Sequence, residues 1–162
     1  MTVSTHLTTT ARSLVLSESE KTSISRSITT LSSRLDAYFG NNITSHFQFG
    51  SNTRGTILPR KADSNSDIDY MIVFDTSNGQ KKPQTYLDRL RKFAEAKYTT
   101  SEIHQSSPTI VLSLNHIKFE LVPAIYSYGY QIPSPASSWQ EWTSTDPSCT
   151  NQAIQDKNKA EN

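Results

Sequence analysis

The stretch that most constrains this chain is Asp67-Ile68-Asp69-Tyr70-Met71-Ile72-Val73-Phe74. Its β-branched and aromatic residues predict a strand. Ile68, Tyr70, Ile72 and Phe74 fall on one face; Asp67, Asp69, Met71 and Val73 fall on the other. The two carboxylates, at positions i and i+2, stand on the same side about 7 Å apart along the chain. They repel each other, and the rest of the strand belongs in a core. Such a strand either ends at a sheet edge where both groups are solvated, or presents both carboxylates to a cation. Hard carboxylate oxygens suit Mg²⁺ or Mn²⁺ rather than zinc.

Two other segments bear on that choice. Glu120 sits in Ile117-Lys118-Phe119-Glu120-Leu121-Val122, on the face shared with Lys118 and Val122. A glutamate there is an edge residue, a partner of Lys118, or the third carboxylate that a two-metal site needs from a neighbouring strand. Phe49-Gly50-Ser51 ends a short predicted strand over 44–49. Glycine lets backbone approach a phosphate oxygen. Ser51 offers a hydroxyl and an N–H at the predicted start of a short helix, a position that favours anions.

The remaining elements frame these motifs. Ser17 and Glu20 have capping-box spacing, and Ile24, Ile28, Leu31, Leu35 and Phe39 follow at helical steps before Gly40, which predicts an amphipathic helix over 18–39. Residues 1–17 form an N-terminal arm, Ser/Thr-rich and without periodicity over 1–13. Pro83 opens a second helix that ends near Tyr98. Residues 109–114 and 117–124 predict a hairpin through Asn115-His116, with Pro123 closing its second strand. Residues 127–148, with Pro133, Pro135 and Pro147, predict loop, and polar residues 150–162 predict the first turns of a helix. This order implies an α+β (α/β) domain with a mixed sheet flanked by helices. The core covers 18–148, and 149–162 is expected to begin a helical C-terminal region that is cut short.

Phe49-Gly50-Ser51-Asn52-Thr53-Arg54-Gly55-Thr56, then Ser66-Asp67-Ile68-Asp69, then Phe119-Glu120-Leu121-Val122-Pro123-Ala124, resembles the signature of the polymerase-β-like nucleotidyltransferase superfamily. Within it, the chain resembles the bacterial cGAS/DncV-like enzymes, the second-messenger oligonucleotide or dinucleotide synthetases. The resemblance covers roughly 18–150. It implies that Gly50 and Ser51 hold a triphosphate and that Asp67, Asp69 and Glu120 bind two Mg²⁺ ions. Glu120 would also help deprotonate the acceptor hydroxyl. Arg54 either contacts the nucleotide or braces the loop, and Thr56 braces the same turn. The resemblance further implies NTP substrates, ATP among them, and cyclic or linear oligonucleotide products for anti-phage signalling, sensed by a separate effector. Alternatives are a superfamily member modifying RNA, protein or a small molecule, and a silent nucleotide-binding fragment. Two departures stand out. The third carboxylate, often Asp in the family, is Glu here, and the Ser51–Asp67 connection is long. Arg60 and Lys61 in that connection are phosphate contacts or part of a solvated turn. Family members usually continue into a helical second domain, whereas this sequence stops at Asn162.

Composition narrows the class. The 162 residues carry 16 basic and 15 acidic side chains, a net +1 that argues against a general polyanion binder. The single Cys149 has no disulfide partner, which fits a reducing compartment. No secretory leader and no apolar run of roughly 18 residues is present, so a cytoplasmic chain without a membrane span is expected. His46, His104 and His116 are isolated, and none has zinc-ligand spacing. His104 falls in a polar loop. Tyr126, Tyr128 and Tyr130 alternate, as a packing stripe or a nucleobase platform. Trp139 and Trp142 read as domain packing.

Overall fold

The computed structural model describes residues 2–137 and 140–149. Helix α1 spans Val3–Ser13 and α2 spans Glu18–Phe39. After a 3₁₀ turn at Gly40–Asn42 come strands β1 (Ile43–Phe49) and β2 (Asp67–Phe74). Helix α3 (Pro83–Lys97) follows, then β3 (Glu102–Ser106), β4 (Thr109–Ser113), β5 (Lys118–Tyr126), β6 (Tyr130–Pro133) and β7 (Trp142–Thr145). The main sheet has the order β1-β2-β5-β4-β3, with β6 pairing the end of β5 and β7 pairing β6. Strands β2 and β5 are parallel and every other pair is antiparallel. The result is the mixed sheet with flanking helices expected of an α+β domain.

Local chemistry sets the helix ends. The Ser17 hydroxyl accepts from the Glu20 N–H, and the Glu20 carboxylate accepts from the Ser17 N–H at 2.8 Å. Gly40 ends the helix at φ +50°, outside the usual range of other residues. Pro83 starts α3, where its missing N–H has no intrahelical partner to lose.

The main core lies on one side of the sheet. Ile24, Leu31, Leu35 and Phe39 of α2 and Tyr86, Leu87, Leu90 and Phe93 of α3 pack on Ile68, Tyr70, Ile72, Phe74, Phe119 and Leu121. Each large apolar side chain buried in this way contributes about 1.5–3 kcal/mol. The opposite face carries Asp67, Asp69, Lys118 and Glu120 at one end. A smaller cluster sits further along it: Met71, Val73 and Ala124 against Phe47, Phe49, Tyr130 and Ile132. A register shift between Ile43 and Ser45 lets Ile43 join the main core while Phe47 and Phe49 face the other way.

Several local expectations are corrected. Residues 3–13 are helical, capped by Thr2, although none of their side chains is buried. His104 belongs to edge strand β3 rather than a loop. Residues 127–148 contain β6 and β7. Pro123 lies inside β5 instead of closing it. Pairing with β4 stops at Leu121, so the strand beyond needs no donor on that side. Gly50–Gly55 is a run of turns, not a helix start. Tyr126 and Tyr130 pair across the β5–β6 hairpin with Tyr128 at its tip, so the three do not share one extended face. Trp142 packs edge-on against Tyr86, as domain packing predicts. Trp139 and residues 150–162 lie outside the described residues.

Candidate active site

Strand register assembles the site. Phe49 pairs with Asp69 across β1–β2, Asp69 with Glu120 across β2–β5, and Asp67 with Lys118. Phe49, Asp69 and Glu120 therefore stand in a row at one end of three adjacent strands, with Gly50 immediately after Phe49. Because β5 is central, Glu120 is not an edge residue. Its neighbour Lys118 places Nζ 3.5 Å from Asp67 Oδ2 and 3.9 Å from Glu120 Oε1.

The Gly50 backbone lies against the Asp69 side chain. At φ +74°, a Cβ on residue 50 would collide with the carboxylate Oδ2 and come within 2.8 Å of Cγ. The loop that follows is knitted by its own groups. The Thr53 hydroxyl donates to the Gly50 carbonyl at 2.9 Å, and the Thr56 N–H and hydroxyl donate to the Ser51 carbonyl at 3.0 and 3.3 Å. Thr56 thus braces the turn. The Ser51 hydroxyl takes no part in this knitting among the described residues. Arg54 is half-buried and its charge reaches Asp69. Arg60 instead points its guanidinium at the carbonyls of Leu114 and Ser64 and so braces the connection, while Lys61 is exposed.

Electrostatics single out the same residues. Burial, then the Asp67 charge, pushes the Asp69 carboxyl up to about 6, against the pull of Arg54 and Lys118. Burial also raises Glu120, and the neighbouring Asp67 carboxylate adds to the shift against the pull of Lys118. Carboxylates held in this state favour a cation that would relieve their repulsion. All available donors are hard oxygens, the set that suits Mg²⁺ or Mn²⁺. Among the described residues, no three His, Cys, Asp or Glu side chains already form a metal-holding group. Asp67, Asp69 and Glu120 offer a donor set whose chemistry matches a hard divalent ion.

Phe47, Phe49, Thr53, Tyr130 and Pro147 line an open pocket of about 410 Å³ that none of the three carboxylates lines. His46 lies across the sheet, tied to Tyr70 and Asp36 rather than to the site. Asp67, Asp69, Glu120, Gly50, Ser51 and Arg54 are all visible in the sequence as candidates, whereas Lys118 enters there only as a possible partner of Glu120, signalled by its two-residue spacing.

The profile of a family described as Second Messenger Oligonucleotide or Dinucleotide Synthetase domain matches residues 1–158. Among solved structures, the CD-NTase CdnG of Bradyrhizobium diazoefficiens in complex with GTP aligns with a TM-score of 0.70 at 12% identity, over 86% of this chain and 43% of its own. CdnC of E. coli MS115-1, in a CdnC:HORMA-deltaN complex, aligns at 0.65 and 16% identity over 93% of this chain and 48% of its own. CdnE cyclic dinucleotide synthase from Elizabethkingia meningoseptica, with GTP and Apcpp, aligns at 0.54 and 20% identity over 76% of this chain and 48% of its own. Likeness at these identities is likeness of fold. The chain spans under half the length of each of these three structures. No curated protein matches it.

Proposed function

Because the chain belongs to the second messenger oligonucleotide or dinucleotide synthetase family, we propose that it is the catalytic core of a nucleotidyltransferase. Its reaction joins NTPs into cyclic or linear oligonucleotide signals and releases pyrophosphate. The observation that carries this reading is the pairing of Asp69 with Glu120, with Asp67 on the same face and the turned Gly50-Ser51 loop packed against Asp69.

In this reading a ribose hydroxyl attacks the α-phosphate in line and pyrophosphate leaves. Gly50 brings backbone close to the phosphates where any side chain would intrude. The Ser51 hydroxyl and N–H would donate to a phosphate oxygen, and Arg54 would add positive charge nearby. Asp67, Asp69 and Glu120 would hold Mg²⁺ or Mn²⁺. Such ions, when bound, neutralise the triphosphate and activate the attacking hydroxyl. Glu120, whose carboxyl is raised by burial, would accept the hydroxyl proton. Most of the rate would come from positioning and charge neutralisation.

The GTP, ATP and Apcpp complexes of the related folds make purine NTPs the first substrates to try. The product would act in the cytoplasm on a separate effector, in anti-phage defence. Among the described residues no helix is long and apolar enough to cross a membrane.

The test is thermal unfolding with each NTP, with and without Mg²⁺, beside Asp67→Asn/Asp69→Asn, together with pyrophosphate release. A nucleotide at about 100 times its Kd adds roughly 2.7 kcal/mol of stability. A metal-dependent shift that vanishes in the variant supports the reading. Pyrophosphate release that survives Asp69→Asn removes it.

A further inference from the structure

We propose that Lys118 is a built-in counter-cation: its ammonium holds Asp67 and Glu120 in place before metal binds, withdraws when metal enters, and so sets the affinity of the site for the ion. This rests on the metal-site reading above and adds a positioning residue to it.

Three observations carry it. Lys118 is placed by register. It stands two residues before Glu120 on the same face of a central strand and directly across from Asp67. It is also more enclosed than the groups it serves: its side chain is 19% exposed, against 27% for Asp67 and 28% for Glu120. Its stem is packed along the strand face, and its ammonium is the cation that faces both carboxylates. Finally, its distances of 3.5 and 3.9 Å exceed those of a direct N–H···O hydrogen bond. The attraction is Coulombic and loosely directed. A four-carbon stem can swing such a head group out without breaking a fixed bond.

Two cations cannot share this space. An ammonium about 4 Å from the carboxylates repels a divalent ion held by the same oxygens. Metal entry must therefore displace the ammonium, and part of the binding free energy goes into that displacement. Removing the charge should weaken the metal-free protein and tighten the metal complex, two changes of opposite sign. A lysine that only braces the strand would produce the first without the second.

The experiment measures Mn²⁺ binding by electron paramagnetic resonance at pH 8 without nucleotide, and thermal unfolding in EDTA. Wild type is compared with Lys118→Met, Lys118→Gln and Lys118→Arg, each checked for native circular dichroism. The neutral variants should bind Mn²⁺ about tenfold more tightly, since one nearby positive charge is gone. They should also melt at lower temperature in EDTA, while Lys118→Arg stays close to wild type in both. Lys118→Gln carries the test if Lys118→Met does not fold. Adding Asp69→Asn to the neutral variant should abolish the gain. Equal or weaker Mn²⁺ binding by neutral variants, with wild type binding normally, overturns the role of Lys118 alone. No binding by any variant overturns the metal-site reading together with it.

Discussion

The Asp69 carboxylate occupies the space that a side chain at position 50 would fill. The close approach of loop and carboxylate thus depends on a missing Cβ, and positive φ at Gly50 reinforces the requirement. Gly50→Ala must displace Asp69 or reshape the turn. The expected result is a stability loss of about 1–3 kcal/mol from backbone strain, with loss of metal-dependent NTP binding. Chemical denaturation measures the first and an NTP thermal shift the second. An alanine variant that binds NTP like wild type would show that this approach is not needed.

Asp69 also makes a pH prediction. Its carboxyl is raised to about 6 from an ordinary value of 3.8, burial and Asp67 being the causes. A raised carboxyl stabilises the fold fully below the unfolded value and loses that contribution as pH climbs through the folded one. Above about 6, ionised Asp69 is therefore a burden on the metal-free protein. Asp69→Asn should be more stable than wild type at pH 7.5 in EDTA, by about 1 kcal/mol once solvent screening is allowed for. The advantage should disappear near pH 4. Mg²⁺ should reverse the order at pH 7.5 by stabilising wild type alone. Paired melting curves across pH decide this, and an advantage that does not change with pH would contradict it.

How much of this was legible in the sequence depended on how local each signal was. Helix α2 could be read to the residue because Ser17, Glu20 and Gly40 mark both ends and its apolar spacing is regular. Strand β2 was equally clear, since one face is apolar throughout. Strand β3 was missed because an edge strand reading Glu-Ile-His-Gln-Ser has only Ile103 as an apolar signal; its pairing with β4 makes it a strand. Strands β6 and β7 are four residues each and exist through pairing with β5 and each other. In the site, the identities of Asp67, Asp69 and Glu120 were visible. The alignment of Asp69 with Glu120, and of Asp67 with Lys118, follows from the parallel register of β2 and β5, which is a long-range property.

The helix cap offers a control away from the chemistry. Ser17→Ala removes the acceptor for the Glu20 N–H and undoes the reciprocal box. The expected loss is about 1 kcal/mol of stability with NTP binding unchanged. Denaturation midpoints and the nucleotide shift, measured on one preparation, separate the two effects.

The two faces of β2 carry different work, and Tyr70 tests this most directly. Its hydroxyl meets His46 Nδ1 at 2.8 Å, and His46 Nε2 meets Asp36 at 2.9 Å, which ties α2 to β1 and β2 on the core side. Asp69 precedes Tyr70 in sequence but points the other way. Tyr70→Phe keeps the ring and its packing and deletes only the hydroxyl. It should cost about 1 kcal/mol of stability, or somewhat more because the half-buried His46 nitrogen loses its partner. Metal binding and nucleotide binding should stay as in wild type. A substantial loss of either in Tyr70→Phe would mean that the His46–Tyr70 link helps hold the strand end in the position Asp69 needs, and the separation of the two faces would fail.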